Sequence, residues 1–507
     1  MTARLAPERG APPTDGCAAR IPVRTRREPV ERPEPLALYR SLAGIFGRDQ
    51  VYLLESPRGP VRDCRLAAVG FGQLLVVTVA RGVVEVEGVP TLRTAALRAI
   101  AEFGEPDGVR GLRLREPADA WQALRRLTTL FDAEGSPEEF VFGFLAFFGY
   151  DAARYIERLP YLIQSDSDLP DITLVLHQGM VRVDLESGTA TLLVHESPAW
   201  PPLPDRAVRS ALRRATAPAD REPAGEQEKA RSEPPLVRDE IDYPAYQSNV
   251  AKCLEHIAVG DIYQVQIGHE IEIESDADPV DVYRRLLRRN ASPYMYLAPL
   301  AGHTVIGASP ELLVRVEDGL ITMRPIAGTI PRSDDDEATA ATLRADPKEI
   351  AEHVMLVDLC RNDIGRVCAS DTLDVPEMLT IEQYSHVQHL VSTVTARAAP
   401  GVDAFDVVRA VFPAGTMTGA PKIRAMEIIE DTETSRRGLY AGALGLIDVG
   451  GYTNLALCIR TLVHRGGYYR TRASAGVVSD SAPDREWRET LAKAGSAFWA
   501  VTGRELI

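Results

Sequence analysis

Tyr263–Ser275 read "YQVQIGHEIEIES", and the fold class follows most directly from this segment. Apolar and polar residues alternate along it, which predicts a strand with one buried face. Residues 243–260, just before it, have the apolar spacing of a helix. Elsewhere, helical and strand patterns follow one another in mixed order, without regular strand–helix–strand alternation. The sequence therefore predicts an α+β fold of large antiparallel sheets with flanking helices.

The 507 residues are too many for one ordinary core, so we expect two folded domains. Residues 1–34 are rich in Pro, Arg and Glu and are predicted to form a disordered leader. Residues 35–214 are predicted to form an N-terminal domain, and residues 239–507 a second domain. The polar, proline-rich residues 215–238 read as the linker between them.

The composition narrows the class of function. The formal net charge of −15 disfavours nucleic acid and anionic lipid as partners. The six cysteines show no CxxC spacing, which argues against zinc ribbons and dithiol redox motifs. No secretory signal or apolar run of membrane-spanning length is evident. We therefore expect a cytoplasmic enzyme.

Two carboxylate pairs suggest a metal site. Glu349 and Glu352 are three residues apart on a predicted helix, as are Glu486 and Glu489 on another. This spacing places both carboxylates of a pair on one helical face. Two such faces brought together would offer oxygen ligands for Mg²⁺. Either pair alone is more typical of a solvated acidic face, and spacing does not show whether the pairs meet.

Other segments are ambiguous when taken singly. The glycine-rich "FPAGTMTGAPK" at Phe412–Lys422 lacks the ending of a phosphate-binding P-loop, but its backbone amides could meet an anion at a helix start. Arg460 follows the apolar "LALCI" and needs an anionic partner or ligand. His389 lies in an apolar context, and Glu311 follows a tight turn as either a helix-cap neighbour or an acid catalyst.

The motifs "GDIYQVQI", "GASPELLVR", "RPIAGTIPR", "KEIAEHVMLVDLCRND", "GTMTGAPKIRAMEII" and "EWRETLAKA" occur in the order typical of the chorismate-utilising enzymes. The chain resembles that family, and anthranilate synthase component I in particular. The resemblance covers nearly all of residues 243–507, which would be the chorismate-binding catalytic domain. Thinner matches, "VYLLES" and "GFLAFFGYDAARYIERLP", imply an N-terminal companion domain packed on it.

The resemblance implies a role for each candidate residue. Glu352 and Glu489 would ligate Mg²⁺, with Glu349 and Glu486 beside them. Glu311 would be the general acid for the C4 hydroxyl of chorismate, and His389 would assist loss of pyruvate. Contacts to the substrate ring and carboxylates are implied for Gly328, Thr329, Gly415, Thr416, Tyr440, Arg460, Ala475, Gly476 and Lys493.

Two positions sort the family by reaction. Isochorismate and salicylate synthases place a water-activating lysine where this chain has Gln264, so glutamine favours ammonia as the nucleophile. Aminodeoxychorismate synthases place at Ala327 a lysine that attacks C2 and leads to amination at C4. Alanine leaves C2 open to ammonia, which gives 2-amino-2-deoxyisochorismate. Loss of pyruvate would then make the chain an anthranilate synthase of tryptophan biosynthesis or a specialised pathway.

Some residues depart from the family pattern. Ser474 stands where glycine is usual, Gln266 lies in an apolar position, Ile330 replaces an arginine and Ala441 replaces a glycine. These departures are compatible with neutral drift or with an enzyme that stops at 2-amino-2-deoxyisochorismate. An aminodeoxychorismate synthase and a non-catalytic regulatory subunit are the further alternatives.

The resemblance also implies partners. We see no added domain with a nucleophilic cysteine and histidine, so a separate glutamine amidotransferase subunit would supply ammonia. The segments "LLES" and "NASPYMY" resemble the tryptophan feedback site of anthranilate synthase. The corresponding feedback residues are Ser56, Pro293, Tyr294 and Met295.

Overall fold

The computed structural model describes residues 20–164, 167–216, 235–333, 335–384 and 387–507. Its first half contains helices α1 (Pro35–Phe46), α2 (Pro90–Ile100), α3 (Asp119–Thr128) and α4 (Asp205–Thr216). The strands of this half are β1 (Ile21–Pro22), β2 (Arg24–Val30), β3 (Val51–Glu55), β4 (Leu66–Ala80), β5 (Val83–Gly88), β6 (Gly104–Asp107), β7 (Gly111–Leu114), β8 (Phe131–Asp132), β9 (Gly143–Phe148), β10 (Ile172–Asp184) and β11 (Ala190–Glu196).

The second half contains helices α5 (Tyr243–Ala258), α6 (Pro279–Arg289), α7 (Asp336–Ala345), α8 (Pro347–Gly365), α9 (Ala404–Val411), α10 (Gly415–Thr418), α11 (Lys422–Thr432) and α12 (Pro483–Thr502). Its strands are β12 (Val237–Asp239), β13 (Gln264–Glu274), β14 (Tyr294–Leu300), β15 (His303–Ser309), β16 (Leu312–Glu317), β17 (Leu320–Met323), β18 (Ile326–Pro331), β19 (Asp374–Gln383), β20 (Val387–Arg397), β21 (Gly419–Ala420), β22 (Ala443–Asp448), β23 (Thr453–Leu457), β24 (Thr461–Arg465) and β25 (Tyr468–Val477).

The predicted antiparallel α+β architecture is confirmed. Apart from the short parallel pair β1–β8, the described strands join in one network of antiparallel pairs. The alternating segment forms β13, which pairs with β25 from Val265 opposite Val477 to Glu274 opposite Tyr468. Helices α5, α11 and α12 contact β13, and α12 also contacts β25. These two strands therefore form the platform on which the second half is built.

Hydrogen-bonded strands connect the two halves of the chain. Strand β9 pairs with β22, and β3 pairs with β14. The exact domain boundaries, 35–214 and 239–507, stay a prediction. No helix in the described part of the chain is long and apolar enough to cross a membrane.

The predicted disordered leader is wrong for residues 20–34. Strand β2 pairs with β11 along its whole length, from Arg24 opposite Glu196 to Val30 opposite Ala190. Its side chains are mostly charged because an edge strand is held by backbone hydrogen bonds and needs little apolar surface. The Arg26 and Arg209 side chains add ion pairs to Glu28. Residues 1–19 lie outside the described residues.

The predicted linker is shorter than expected at both ends. Helix α4 continues to Thr216, and β12 is already part of the sheet, where it pairs with β13. Residues 217–234, the middle of the predicted linker, lie outside the described residues.

Candidate active site

A cavity of about 650 Å³ lies between β13, β18, β20 and β25 on one side and α8 and α12 on the other. Most of the residues singled out from the sequence line it, although they come from segments far apart in the chain. The lining includes Gln264, Glu311, Ala327, Gly328, Thr329, Glu349, Glu352, His389, Thr416, Tyr440, Arg460, Gly476, Glu486, Glu489 and Lys493.

Six predicted residues do not line this cavity. Gly415 begins α10 beside Leu359, and Ala475 is fully buried in β25 on the side opposite its cavity-facing neighbours. The other four are the predicted feedback residues, Ser56, Pro293, Tyr294 and Met295.

Two helices form an acidic end of the cavity. Helix α8 begins at Pro347, and the Asp346 side chain caps it by accepting from the amides of Lys348 and Glu349. Glu349 and Glu352 thus project from its first turns, and α12 contributes Glu486 and Glu489. The two carboxylate pairs that spacing alone could not bring together therefore face one cavity.

The acidic end carries excess negative charge. Burial raises the pKa of Glu349 and Glu352, and repulsion from Glu489 raises both further. Among the described residues, no three such ligands already surround one point in metal-binding geometry. Hard oxygen donors that repel one another are nevertheless the donor chemistry that suits Mg²⁺, so these residues fit the ion that the resemblance implies.

Gln264 is fixed by one of these carboxylates. Its Nε2 donates a hydrogen bond to Glu352 Oε1 at 2.7 Å, and the side chain is 1% exposed. The Gln264 Oε1 atom is buried without a partner among the described residues. An uncharged amide therefore occupies the position at which a lysine would carry a base or a cation.

Two cations, Arg460 and Lys493, also line the cavity. Arg460, held at a φ of 51°, has no acidic side chain within ion-pair distance among the residues that the structure describes. Burial lowers its pKa, and the nearby Tyr384 and Glu311 oppose this effect only in part. Lys493 pairs with Glu489 at 2.7 Å and donates to the Ser474 carbonyl at 3.0 Å. A ligand with two anionic groups fits a cavity of this polarity.

The pKa of Glu311 suits a general acid. Burial raises its pKa to about 7, against the opposing effects of a hydrogen bond and two cations. The Thr416 hydroxyl donates that bond to Glu311 Oε1 at 2.9 Å. A carboxylic acid that is half protonated at neutral pH can give its proton to a leaving hydroxyl.

His389 is held in one tautomer. Its Nδ1 lies 3.1 Å from the Gly328 carbonyl oxygen, which only accepts, and 3.0 Å from the Thr329 hydroxyl oxygen, which can accept, so both contacts are satisfied when Nδ1 carries the proton. The Nε2 atom is buried without a partner among the described residues. Burial lowers the His389 pKa to about 4, with Arg460 adding to the effect, so the ring is neutral at pH 7.

Strand β18 brings Ala327 to the cavity wall. A register shift between Ala327 and Thr329 coincides with a positive φ of 60° at Gly328. A Cβ at Gly328 would lie 3.1 Å from Glu349 Oε2 and from Leu343 Cδ1, and the positive φ would add backbone strain, so this position favours glycine. The inert methyl group of Ala327 is thus the only side-chain atom that this residue presents to the site.

Several lining residues were not predicted to act. Gln266 and Ser474 appeared only as departures from the family pattern, although both line the cavity. Tyr384 packs edge-on against His389 with ring centroids 5.0 Å apart, and Lys348 lies beside the acidic end. Helical spacing and charge would have pointed to Lys348, whereas nothing in the sequence singles out Tyr384.

The predicted feedback residues lie together at another place, where β3 meets β14. Met295 pairs with Glu55 across these strands, and the Tyr294 hydroxyl donates to Asp63 at 3.0 Å. Asp63 also pairs with the buried Arg324 and with Arg315. The role of Ser56, Pro293, Tyr294 and Met295 as a tryptophan site stays a prediction.

Comparison with known proteins identifies the class. The sequence profile described as chorismate binding enzyme matches residues 92–498, so the chain belongs to the family of chorismate binding enzymes. A 2-amino-4-deoxychorismate synthase from Streptomyces globisporus is 60% identical over 97% of this chain and 100% of its own. Anthranilate synthase component 1 from Pseudomonas aeruginosa is 37% identical over 92% of each chain.

A solved structure supports the fold. Anthranilate synthase component I from Streptococcus pneumoniae matches with a TM-score of 0.70 and 30% identity, covering 85% of this chain and 92% of its own. The family prediction is thereby confirmed. The more specific prediction of an anthranilate synthase is wrong, because a 2-amino-4-deoxychorismate synthase is far more similar over the whole chain. The shared family motifs line a common cavity and do not by themselves distinguish the products.

Proposed function

We propose that the chain catalyses amination of chorismate at C2 with loss of the C4 hydroxyl, and releases 2-amino-4-deoxychorismate with its enolpyruvyl ether intact. The name of the relative from Streptomyces globisporus describes such a product, with an amino group on C2 and no oxygen on C4. That compound is the same as the 2-amino-2-deoxyisochorismate reached before any loss of pyruvate. The identity of 60% supports the transfer to this chain.

The observation that carries this proposal is the buried Glu311 in a cavity that is also lined by four carboxylates and by the cations Arg460 and Lys493. Chorismate is a dianion with a poor leaving group at C4. Arg460 and Lys493 suit one of its carboxylates, and Glu311, with a pKa of about 7, suits the departing hydroxyl. Ala327 and Gln264 support ammonia as the nucleophile, because neither can attack C2 or activate water as a lysine would.

Glu352 and Glu489 would hold Mg²⁺, with Glu349 and Glu486 beside them. When bound, the ion offsets the charge of the ring carboxylate and fixes the ring. The Gln264 amide orients the Glu352 carboxylate through the 2.7 Å hydrogen bond between them.

Ammonia would come from a separate glutamine amidotransferase subunit. A glutaminase nucleophile needs a cysteine with a lowered pKa. In the described part of the chain, burial instead raises the pKa of the thiols of Cys64, Cys253, Cys360 and Cys458. A cytoplasmic location, where free thiols persist, belongs to the same proposal.

The test is a product analysis of the purified chain with chorismate, Mg²⁺ and ammonium. We expect chorismate to disappear without stoichiometric pyruvate, and the product to have the mass of chorismate with one hydroxyl replaced by an amino group. Glutamine alone should not replace ammonium. Equimolar pyruvate and a fluorescent aromatic product, or no consumption of chorismate, would contradict the proposal.

A further inference from the structure

Three polar side chains form a hydrogen-bonded chain in the wall of the cavity. Gln266 on β13, Ser474 on β25 and Tyr440, which follows α11, all line it. Ser474 Oγ lies 2.5 Å from the Tyr440 hydroxyl oxygen and 3.1 Å from Gln266 Oε1. We call these three residues the polar relay.

The relay has a direction. The amide oxygen of Gln266 only accepts, so Ser474 gives it the single proton of its hydroxyl. Ser474 Oγ must then accept in its contact with Tyr440, which leaves the tyrosine as donor. The Tyr440 proton is therefore committed to Ser474, and only lone pairs of the tyrosine oxygen face the cavity.

Buried ion pairs hold the relay in place. Arg437 donates a hydrogen bond to the main-chain carbonyl oxygen of Gln266 at 2.8 Å. Its guanidinium lies 5.8 Å from the centre of the Tyr440 ring. Glu433 pairs with Arg437 at 2.8 Å and with Arg472 at 2.9 Å, and all three side chains are buried. Because each of these three buried side chains has hydrogen-bond partners, the network holds Gln266 and Tyr440 in a single arrangement.

The relay lies beside Lys493, one of the two cations that line the cavity. Lys493 donates to the Ser474 carbonyl at 3.0 Å, and its charge acts on Tyr440. On the proposed function, the ring carboxylate of chorismate belongs at the acidic end. The enolpyruvyl carboxylate would then be left to Arg460 and Lys493, and the contact of Lys493 with Ser474 would bring the ether beside the relay.

The chemistry of pyruvate loss indicates what the relay does. In that elimination the C2 proton is lost, the C3–O bond breaks, the ring becomes aromatic, and the leaving enolpyruvate takes up a proton. A site that withholds a proton from the leaving group slows this step. We propose that Gln266 and Ser474 are specificity-determining residues, which hold the Tyr440 proton away from the enolpyruvyl group so that the ether survives.

The proposal rests on the proposed function, and its test is the ratio of pyruvate formed to chorismate consumed. Ser474→Ala removes the acceptor of the Tyr440 proton and should raise this ratio on the order of tenfold or more. Adding Tyr440→Phe to Ser474→Ala should return the ratio to its low value, because the freed proton is then gone. A purely structural role of Ser474 would lower the rate without moving the ratio.

A second variant and a matched control complete the design. Gln266→Met removes the acceptor of the Ser474 proton, which frees that hydroxyl to donate to Tyr440 and should also raise the ratio. Ser496→Ala removes another serine hydroxyl from the same cavity wall, outside the relay, and should leave the ratio unchanged. Thermal unfolding of each variant verifies that it is folded.

The outcomes separate the two proposals. If the unaltered chain already releases one pyruvate per chorismate, the proposed function fails. If the unaltered chain retains the ether and folded Ser474→Ala and Gln266→Met variants retain it equally, the relay proposal alone is overturned. A raised ratio that persists after Tyr440→Phe is added would also overturn it.

Discussion

At the scale of single residues, the environment of each group decides its chemistry. Glu311 and Glu352 are both carboxylates of the same cavity, but the charges that act on Glu311 are the cations Arg460 and Lys493, whereas Glu352 lies among other carboxylates. Burial is the main cause of the raised pKa in both. Only Glu311 has a hydroxyl and no acidic neighbour beside it, which suits proton donation, whereas Glu352 suits a cation.

The Glu311 carboxyl should give the reaction a falling pH dependence. Its pKa is raised to about 7, so the acid form dominates below that pH and is lost above it. We expect kcat/KM for chorismate to fall as pH rises through 7 at a fixed concentration of free ammonia. Glu311→Gln should lower kcat on the order of 10²–10⁴-fold and abolish this dependence. A pH profile of Glu311→Gln identical to that of the unaltered chain would contradict the assignment.

A substitution at Ala327 tests whether ammonia attacks C2 of chorismate beside this residue. Ala327→Lys places an amine at the cavity wall, and this amine should compete with ammonia for C2. We expect loss of the 2-amino product and a covalent adduct detectable by mass spectrometry of the intact chain. Ala327→Met is the control, since it has similar bulk but no nucleophile and should not form the adduct. Undiminished C2 amination by Ala327→Lys would refute the assignment.

At the scale of elements, α8 and α12 act together. Their existence could be predicted because both begin with a proline and have amphipathic spacing, and because Asp346 caps the start of α8 and Gly503 the end of α12. That the two helices face one cavity could not be predicted, because i, i+3 spacing defines a helical face but not what that face contacts. The polar relay was equally hidden, since Gln266 and Ser474 come together only through the register of β13 and β25.

The two helices should bind Mg²⁺ jointly. Glu352→Gln with Glu489→Gln removes repulsion together with the partly exposed Glu489–Lys493 pair, which contributes little, so the metal-free variant should be about as stable as the unaltered chain. Saturating Mg²⁺ should stabilise the unaltered chain by about 3 kcal/mol at 100 times its Kd, and this gain should vanish in the variant. Thermal melts with and without Mg²⁺ measure it. Asp358→Asn, on the exposed face of α8, is the control and should keep the full gain.

At the scale of the whole molecule, the sheet unites both halves. The antiparallel class followed from alternation in the sequence, but the pairing of β9 with β22 and of β3 with β14 is a long-range event with no local pattern. Strand β2 was missed for a related reason, since its backbone pairing with β11 requires few apolar residues. Local composition therefore predicted a leader where the structure has an edge strand.

This shared sheet should make unfolding cooperative. Residues 35–214 and 239–507 expressed apart would each expose a strand edge and the apolar residues beside it, such as Phe144 and Leu446. We expect one calorimetric transition for the whole chain and aggregation of the separate halves. Two resolved transitions, or a soluble and active second half, would show that the halves are independent.

The most direct test of the central claim is an NMR analysis of the product formed from chorismate, Mg²⁺ and ¹⁵N-labelled ammonium. The account predicts ¹⁵N on C2 of a non-aromatic ring, with the two enolpyruvyl methylene protons still present. Label on C4, or label on an aromatic ring accompanied by free pyruvate, would contradict it.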